Sequence, residues 1–344
     1  MATAEHEITA PVDLCLPDGR RLAPAARGWS RRPLHTANLR GRRFRTKRWD
    51  YWAVLGDDLA LAVTYGHVGY LGVATVWWVD LRTGTEGGRD VPAPLGRGLR
   101  LPERPGAEPL RFRSRPLDLD LTDDEDGTRL VARWDEADGR PGTLDVHVDQ
   151  PPGHESLNVV IPWTETLFQY TSKHQARPAR GTLRVGDVVH HLGDDDGPAW
   201  GVLDVGRGRW PYRTRWNWGG GAGPATDGAT VVGLQFGGRW TEGTGATENG
   251  VLVDGRLTKI GQELEWSYHW DRPLRPWRVR HPDGSLDVTL TPRHDRHTKV
   301  QAVVLATEVH QVFGTWAGHV TTEDGTVVRV DGIGGFAEES RSRW

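Results

Sequence analysis

A single cysteine, Cys15, rules out an intramolecular disulfide and any cluster of thiolate metal ligands. That fits a reducing compartment. No apolar run approaches the roughly 18–20 residues needed to span a bilayer. The N-terminus carries Glu5 and Glu7 where a signal peptide needs positive charge and then an apolar stretch. These absences point to a cytoplasmic protein without a membrane span. Lysine is scarce, so nearly all the positive charge is arginine, and it is balanced to a formal net charge of −3. No global field therefore recruits nucleic acid. G-x-S-x-G, H-E-x-x-H and a dinucleotide-binding glycine fingerprint are all missing, which disfavours the familiar hydrolase, zinc-protease and nicotinamide chemistries. No cofactor is implied.

Glycine and tryptophan are abundant instead, at 44 and 17 of the 344 residues. The tryptophans carry large apolar area with one N–H each, and that area must end in a core, a cavity or a sticky surface. Leu59–Tyr65 and Gly72–Val79 are rich in β-formers, and Leu117–Leu121 alternates with period two. Asp-Gly turn signals at 138–139, 227–228, 254–255, 283–284 and 324–325 separate such runs. Turns this frequent, with no long amphipathic period, predict an all-β protein of hairpin-connected antiparallel strands.

The chain also repeats itself. Thr171, His174 and Gln175 lead through Gly181 to Asp204, Arg207, Arg209 and Trp210. Thr307, His310 and Gln311 lead through Gly318 to Glu338, Arg341, Arg343 and Trp344. Shared order and spacing of uncommon residues predict two related barrels by duplication. The expected division is an irregular Arg-rich arm over 1–45, a first barrel over 46–210 and a second over 211–344. The arm's arginines, Arg43 among them, read as solvated or carboxylate-paired.

Asp204 is the first candidate for chemistry. It lies between the apolar stretch Trp200–Leu203 and a glycine-loosened segment with Arg207 and Arg209. Partly desolvated at a barrel mouth, its carboxyl would serve as a general acid; the alternative is an Asp–Arg bridge closing the barrel. Trp216 and Trp218, two apart, face the same way in a strand. With Trp210 and Trp240 they would line a ligand cavity or fill a core, and Tyr212 would add a phenolic proton donor. Gly237–Asn249 reads as a polar hairpin tip, with Glu248 a secondary acid or base and Asn249 a ligand contact. Glu242 and Glu248 together would suit a glycosidase carboxylate pair. Lys173, Arg207 and His310 complete the candidate ligand-binding residues. His190 and His191 with Asp194–Asp196, or His294 with His297, can be drawn as metal sets. Adjacent histidines in a strand point to opposite faces, however, and no metal is assigned.

Thr171–Lys173, Leu203–Tyr212, Arg215–Trp218, Gly233–Asn249, Asp254–Leu257 and Pro276–Trp277 together resemble a bacterial family, the domain of unknown function numbered 2804. More distantly, the layout is similar to the double-calycin proteins of the carotenoid 1,2-hydratase and AttH type. That resemblance implies two tandem lipocalin-like barrels. It also implies metal-free hydration or cyclisation of isoprenoid and polyene molecules in an apolar cavity. Those proteins carry Asp-His-x-Trp-Gly before a Trp-rich strand; here Asp204–Gly208 keeps the Asp and Gly and replaces His and Trp.

The expected function is a cofactor-independent enzyme that hydrates, cyclises or isomerises a hydrophobic small molecule in a Trp-lined cavity, with Asp204 as proton donor. A non-catalytic carrier of a hydrophobic ligand and a carbohydrate-active protein using Glu242 and Glu248 stand as alternatives.

Overall fold

The computed structural model describes residues 3–42, 44–193, 197–301 and 305–343. Arg43, Asp194–Asp196 and Trp344 lie outside the described residues, and with them the acidic part of one metal set and the end of the second repeat. Among the described residues the only helical turn is the 3-10 segment Pro24–Ala26. None of their helices is long and apolar enough to cross a membrane.

Two curled antiparallel sheets carry the chain, and both use the same strand order. The first runs Thr85–Pro94, Leu71–Asp80, Leu59–His67, Thr46–Leu55, Trp200–Arg209, Phe168–Val185, Pro141–Asp149, Gly127–Asp135, Leu117–Asp123 and Leu110–Arg113. The second runs Arg256–Ile260, Asn249–Val253, Val231–Gly238, Arg213–Pro224, Val327–Arg343, Ala306–Thr321, Leu286–Gln301, Trp277–Arg280 and Glu265–Ser267. In each, the last long strand returns to pair with the first. Gly181 and Gly318 occupy matching places. Both have positive φ, at 149° and 141°, and a Cβ on either would run into a carbonyl oxygen of the neighbouring strand, Asp145 or Asp287. Shared strand order and these matching close-approach glycines express the duplication.

Period-two alternation sorts the side chains between two environments. Along Thr46–Leu55, Trp52 and Val54 enter the interior of the first sheet with Leu61, Val63, Leu130, Val146 and Val205. Leu234, Phe236, Trp277, Val288, Val312 and Trp316 fill the second interior in the same way. Ala53 and Leu55 face the opposite way and meet Ala60, Ala62, Val202, Trp218, Phe313 and Phe336 in a third core between the sheets. Small alanines on one sheet admit the phenylalanines of the other, and each fully buried Phe contributes about 1.5–3 kcal/mol.

The N-terminal arm lies over the first sheet. Leu14, Cys15, Leu22, Ala26, Ala37 and Leu39 pack on Val160, Phe168 and Tyr170. Arg209, fully buried, donates to the carbonyl oxygens of Gly19, Arg20 and Arg40 at 2.6, 2.8 and 2.7 Å. Arg31 pairs with Glu7 and Glu155, while Arg20, Arg21, Arg27, Arg32, Arg40, Arg42 and Arg45 are exposed.

Candidate active site between the two sheets

A cavity of about 300 Å³ opens where the outer faces of the two sheets meet. Its walls come from both halves. Trp49, Tyr51, Lys173 and Asp204 enter from the first sheet, and Trp216, Trp218, Gln311 and Glu338 from the second. Trp210, on the connection, and Trp240 and Glu248, from the segment after Gly238, complete one end. Neither curled interior holds it, because both are packed with apolar side chains.

Register brings the charges together. Lys173 is the direct partner of Asp204 in the pairing of Phe168–Val185 with Trp200–Arg209. Its Nζ lies 2.8 Å from Asp204 Oδ1, both side chains being almost fully buried. Asp204 Oδ1 also accepts from Thr171 Oγ1 at 3.2 Å, and Oδ2 accepts from Trp49 Nε1 at 2.9 Å. Both oxygens are thus committed as acceptors, and Asp204 stands as the counter-ion of Lys173. Burial opposes the charge on Lys173, but Asp204 and Glu248 outweigh it and its pKa is raised. The ammonium also sits 4.4 Å from the centre of the Trp218 ring, the face that stabilises cations.

Two further carboxyls face the same space, each held by an indole. Trp240 Nε1 donates to Glu248 Oε2 at 2.8 Å, and Trp216 Nε1 donates to Glu338 Oε1 at 2.7 Å. Burial, reinforced by the negative charge of Asp204, pushes each up to about 7 against the pull of Lys173 and the indole. Glu248 Oε1 makes no hydrogen bond. Tyr51 donates its hydroxyl to Gln311 Oε1 at 3.2 Å, and burial pushes its pKa up to about 12. At the rim, burial and nearby Arg45 push Lys47 down to about 7. Trp210 meets Trp49, Trp216 and Trp240 edge-to-face, with ring centres 5.0, 5.5 and 5.1 Å apart. This fixed aromatic cluster holds the acids in place.

Of the residues singled out from sequence, Lys173, Asp204, Trp210, Trp216, Trp218, Trp240 and Glu248 converge here. The others do not. Tyr212 is 44% exposed and outside the cavity. Arg207 is fully buried but pairs with Asp50 at 2.6 Å and braces the carbonyl oxygen of Trp49, so the expected Asp204–Arg bridge is replaced by two separate pairs. Asn249 accepts from the Gly237 N–H and donates to the Gln262 carbonyl, a structural role at the strand end. His310 points away from the cavity to Asp295. Glu242 lies on an exposed turn beside Arg239, so the Glu242/Glu248 pair is not assembled in the cavity. His190 lies against the Trp78 ring, and His294 bonds Glu86.

The sequence does not single out Trp49 or Tyr51, and in it Gln311 and Glu338 stand only as members of the repeat. Glu338 was signalled by the repeat, since it is the counterpart of Asp204. Taken literally, the duplication puts a second acid opposite the first. Arg341 pairs with Glu339.

The fold is thus that of a double calycin, two curled antiparallel sheets in tandem. The chain belongs to the family described as "Domain of unknown function (DUF2804)", whose pattern matches residues 5–344. Among solved structures it is similar to kievitone hydratase from Nectria haematococca, at 9% identity and TM-score 0.50, over 86% of this chain and 88% of that one. It is also similar to an AttH-like protein from Nitrosomonas europaea, at 16% identity and TM-score 0.43, over 96% and 98%. A third similar structure is CghA with Sch210972, at 12% identity and TM-score 0.45, over 87% and 88%. These likenesses concern the fold. No curated protein matches the chain.

Proposed function

We propose that the chain is a cofactor-independent enzyme that moves a proton within an apolar, isoprenoid- or polyene-like molecule bound between the two sheets. One observation carries this reading: two buried carboxyls, Glu248 and Glu338, each fixed by an indole N–H and lifted to about 7, face one Trp-lined cavity. Acids poised near neutrality are what general acid–base catalysis needs. The geometry favours Glu248 over Asp204 as the donor, because both Asp204 oxygens already accept hydrogen bonds while Glu248 Oε1 is free.

In the proposed reaction Glu248 Oε1 gives its proton to an alkene carbon, leaving a carbocation and a carboxylate. The Trp216 ring shields the cation, while Trp218 and Asp204 remain engaged with the Lys173 ammonium. Glu338 then takes a proton, either from an attacking water in hydration or from a neighbouring carbon in isomerisation or cyclisation. Exchange with solvent returns the proton to Glu248. Lys173 holds Asp204 in place and takes no proton.

The test is deuterium uptake. Native mass spectrometry of freshly purified protein, with organic extraction, identifies any bound molecule and its class. That molecule, or a panel of terpenoids and polyenes, is then incubated in D₂O and followed by mass. Uptake at carbon in the wild type that is lost in Glu248→Gln supports the proposal. An unmodified lipid without uptake would instead mark a carrier, and unaltered uptake in Glu248→Gln would remove Glu248 as the acid.

A further inference from the structure

We propose that His297, Glu308 and His310 form a binding site for a first-row transition-metal dication, with zinc the type case, on the reverse side of the cavity wall. The strands Leu286–Gln301 and Ala306–Thr321 pair with His297 opposite His310 and Lys299 opposite Glu308. Alternation turns Arg296, Thr298, Val309 and Gln311 into the intersheet cavity and leaves the intervening residues on the other face. There the ligand atoms of His297, Glu308 and His310 all lie within 4.8 Å of one another.

The set has the features of a coordinating site. His297 Nε2 is 3.2 Å from Glu308 Oε1, and the two imidazoles stack with centres 4.2 Å apart; since an imidazole lone pair lies in its ring plane, His297 turns out of this stack to share an ion with His310. Asp295 Oδ2 lies 2.8 Å from His310 Nδ1. A carboxylate on one imidazole nitrogen fixes the ring and presents the other nitrogen to a metal, the usual outer partner of a ligating histidine. His310 is further held by the edge of Trp270, whose face carries the Arg341 guanidinium at 3.8 Å. Glu308 Oε1 also accepts from Lys299 Nζ at 3.1 Å, a bond that an incoming ion replaces. Two imidazoles and one carboxylate suit zinc, cobalt or iron(II) better than calcium or magnesium. Ligand bonds of about 2.0–2.2 Å require the donors to close further, and His297, the most exposed of the three, has room to turn. Three protein donors leave a position for water, at the end of the second sheet where Trp270 and Arg341 border an open groove of about 890 Å³.

The experiment uses the full chain stripped with chelator and titrated with Co²⁺ by visible absorption, then with Zn²⁺ in competition and by calorimetry. The expected result is one ion per chain with a ligand-field band that zinc abolishes. His297→Ala and Glu308→Gln, both on the surface, should each weaken binding by about tenfold or more, and Asp295→Asn by about 10–100-fold. His190→Ala should change nothing. Absence of a band at millimolar cobalt, or binding unaltered in His297→Ala, would overturn the site.

Discussion

Replacing Glu248 with Gln keeps an acceptor for the Trp240 indole and removes the proton on which the proposed reaction depends. Turnover should fall by about 10²–10⁴-fold, measured as deuterium uptake. The same substitution should stabilise the protein at alkaline pH. The folded pKa of Glu248 is raised from 4.5 to about 7, so its contribution to stability is fully present below about 4.5 and lost as pH rises through about 7. Gln carries no such penalty. Urea denaturation at pH 8 should show the variant more stable by about 1–3 kcal/mol, with the difference vanishing near pH 4. A loss of stability at pH 8 would mean that Glu248 is held as a structural anion. Lys173 behaves in the opposite way. Lys173→Met leaves Asp204 buried without its counter-ion and should cost about 3–5 kcal/mol, of which Lys173→Met/Asp204→Asn recovers a large part. Both are read from the midpoint in urea.

Among the elements, the long strands Phe168–Val185 and Ala306–Thr321 each hold a positive-φ glycine, Gly181 or Gly318, against a carbonyl of the neighbouring strand, and the sequence marks these glycines only as members of a repeat. Gly318 and Gly284 separate two costs. Gly284 has φ 79° with nothing near its absent Cβ, while Gly318 has φ 141° and would strike the Asp287 carbonyl. Gly284→Ala should therefore lose about 1–2 kcal/mol through backbone conformation alone. Gly318→Ala should lose distinctly more, because the strand must also move; equal midpoints in urea for the two variants would refute the close-approach argument. Hairpins were legible because Asp-Gly pairs and period-two runs such as Leu117–Leu121 are local signals. Trp216 and Trp218 were legible as a wall for the same reason: parity within one strand fixes their common face. The Lys173–Asp204 pair and the Trp49 indole on Asp204 were not, since they depend on which strand lies beside Trp200–Arg209. Nothing local in the sequence carries that register. His310 shows the limit of repeat reasoning. Its strand matches that of His174, but the second pair of strands is offset by two residues. Lys173 faces Asp204, whereas Glu338 faces Gln311 rather than Val309.

Across the whole molecule, duplication has made a site that neither half holds alone. Asp204 and Glu338 are counterparts on the returning strands of the two sheets, and each turns away from its own packed interior toward the other half. The cavity is as rigid as the core beneath it, where Phe313 and Phe336 sit against Ala53, Ala60, Ala62 and Trp77. Trp218 belongs to that core and to the cavity at once, meeting Phe336 edge-to-face at 4.6 Å while its face carries Lys173. Disturbing the core should therefore reach the site. Phe336→Ala should cost about 3–5 kcal/mol and weaken ligand binding although Phe336 does not line the cavity. Because the third core ties the sheets together, calorimetry of the wild type should show one transition in which both halves melt together. In Phe336→Ala that transition should broaden or split as the coupling weakens. Two separate transitions already present in the wild type would mean that the sheets fold independently and that the cavity is a contact between separate bodies.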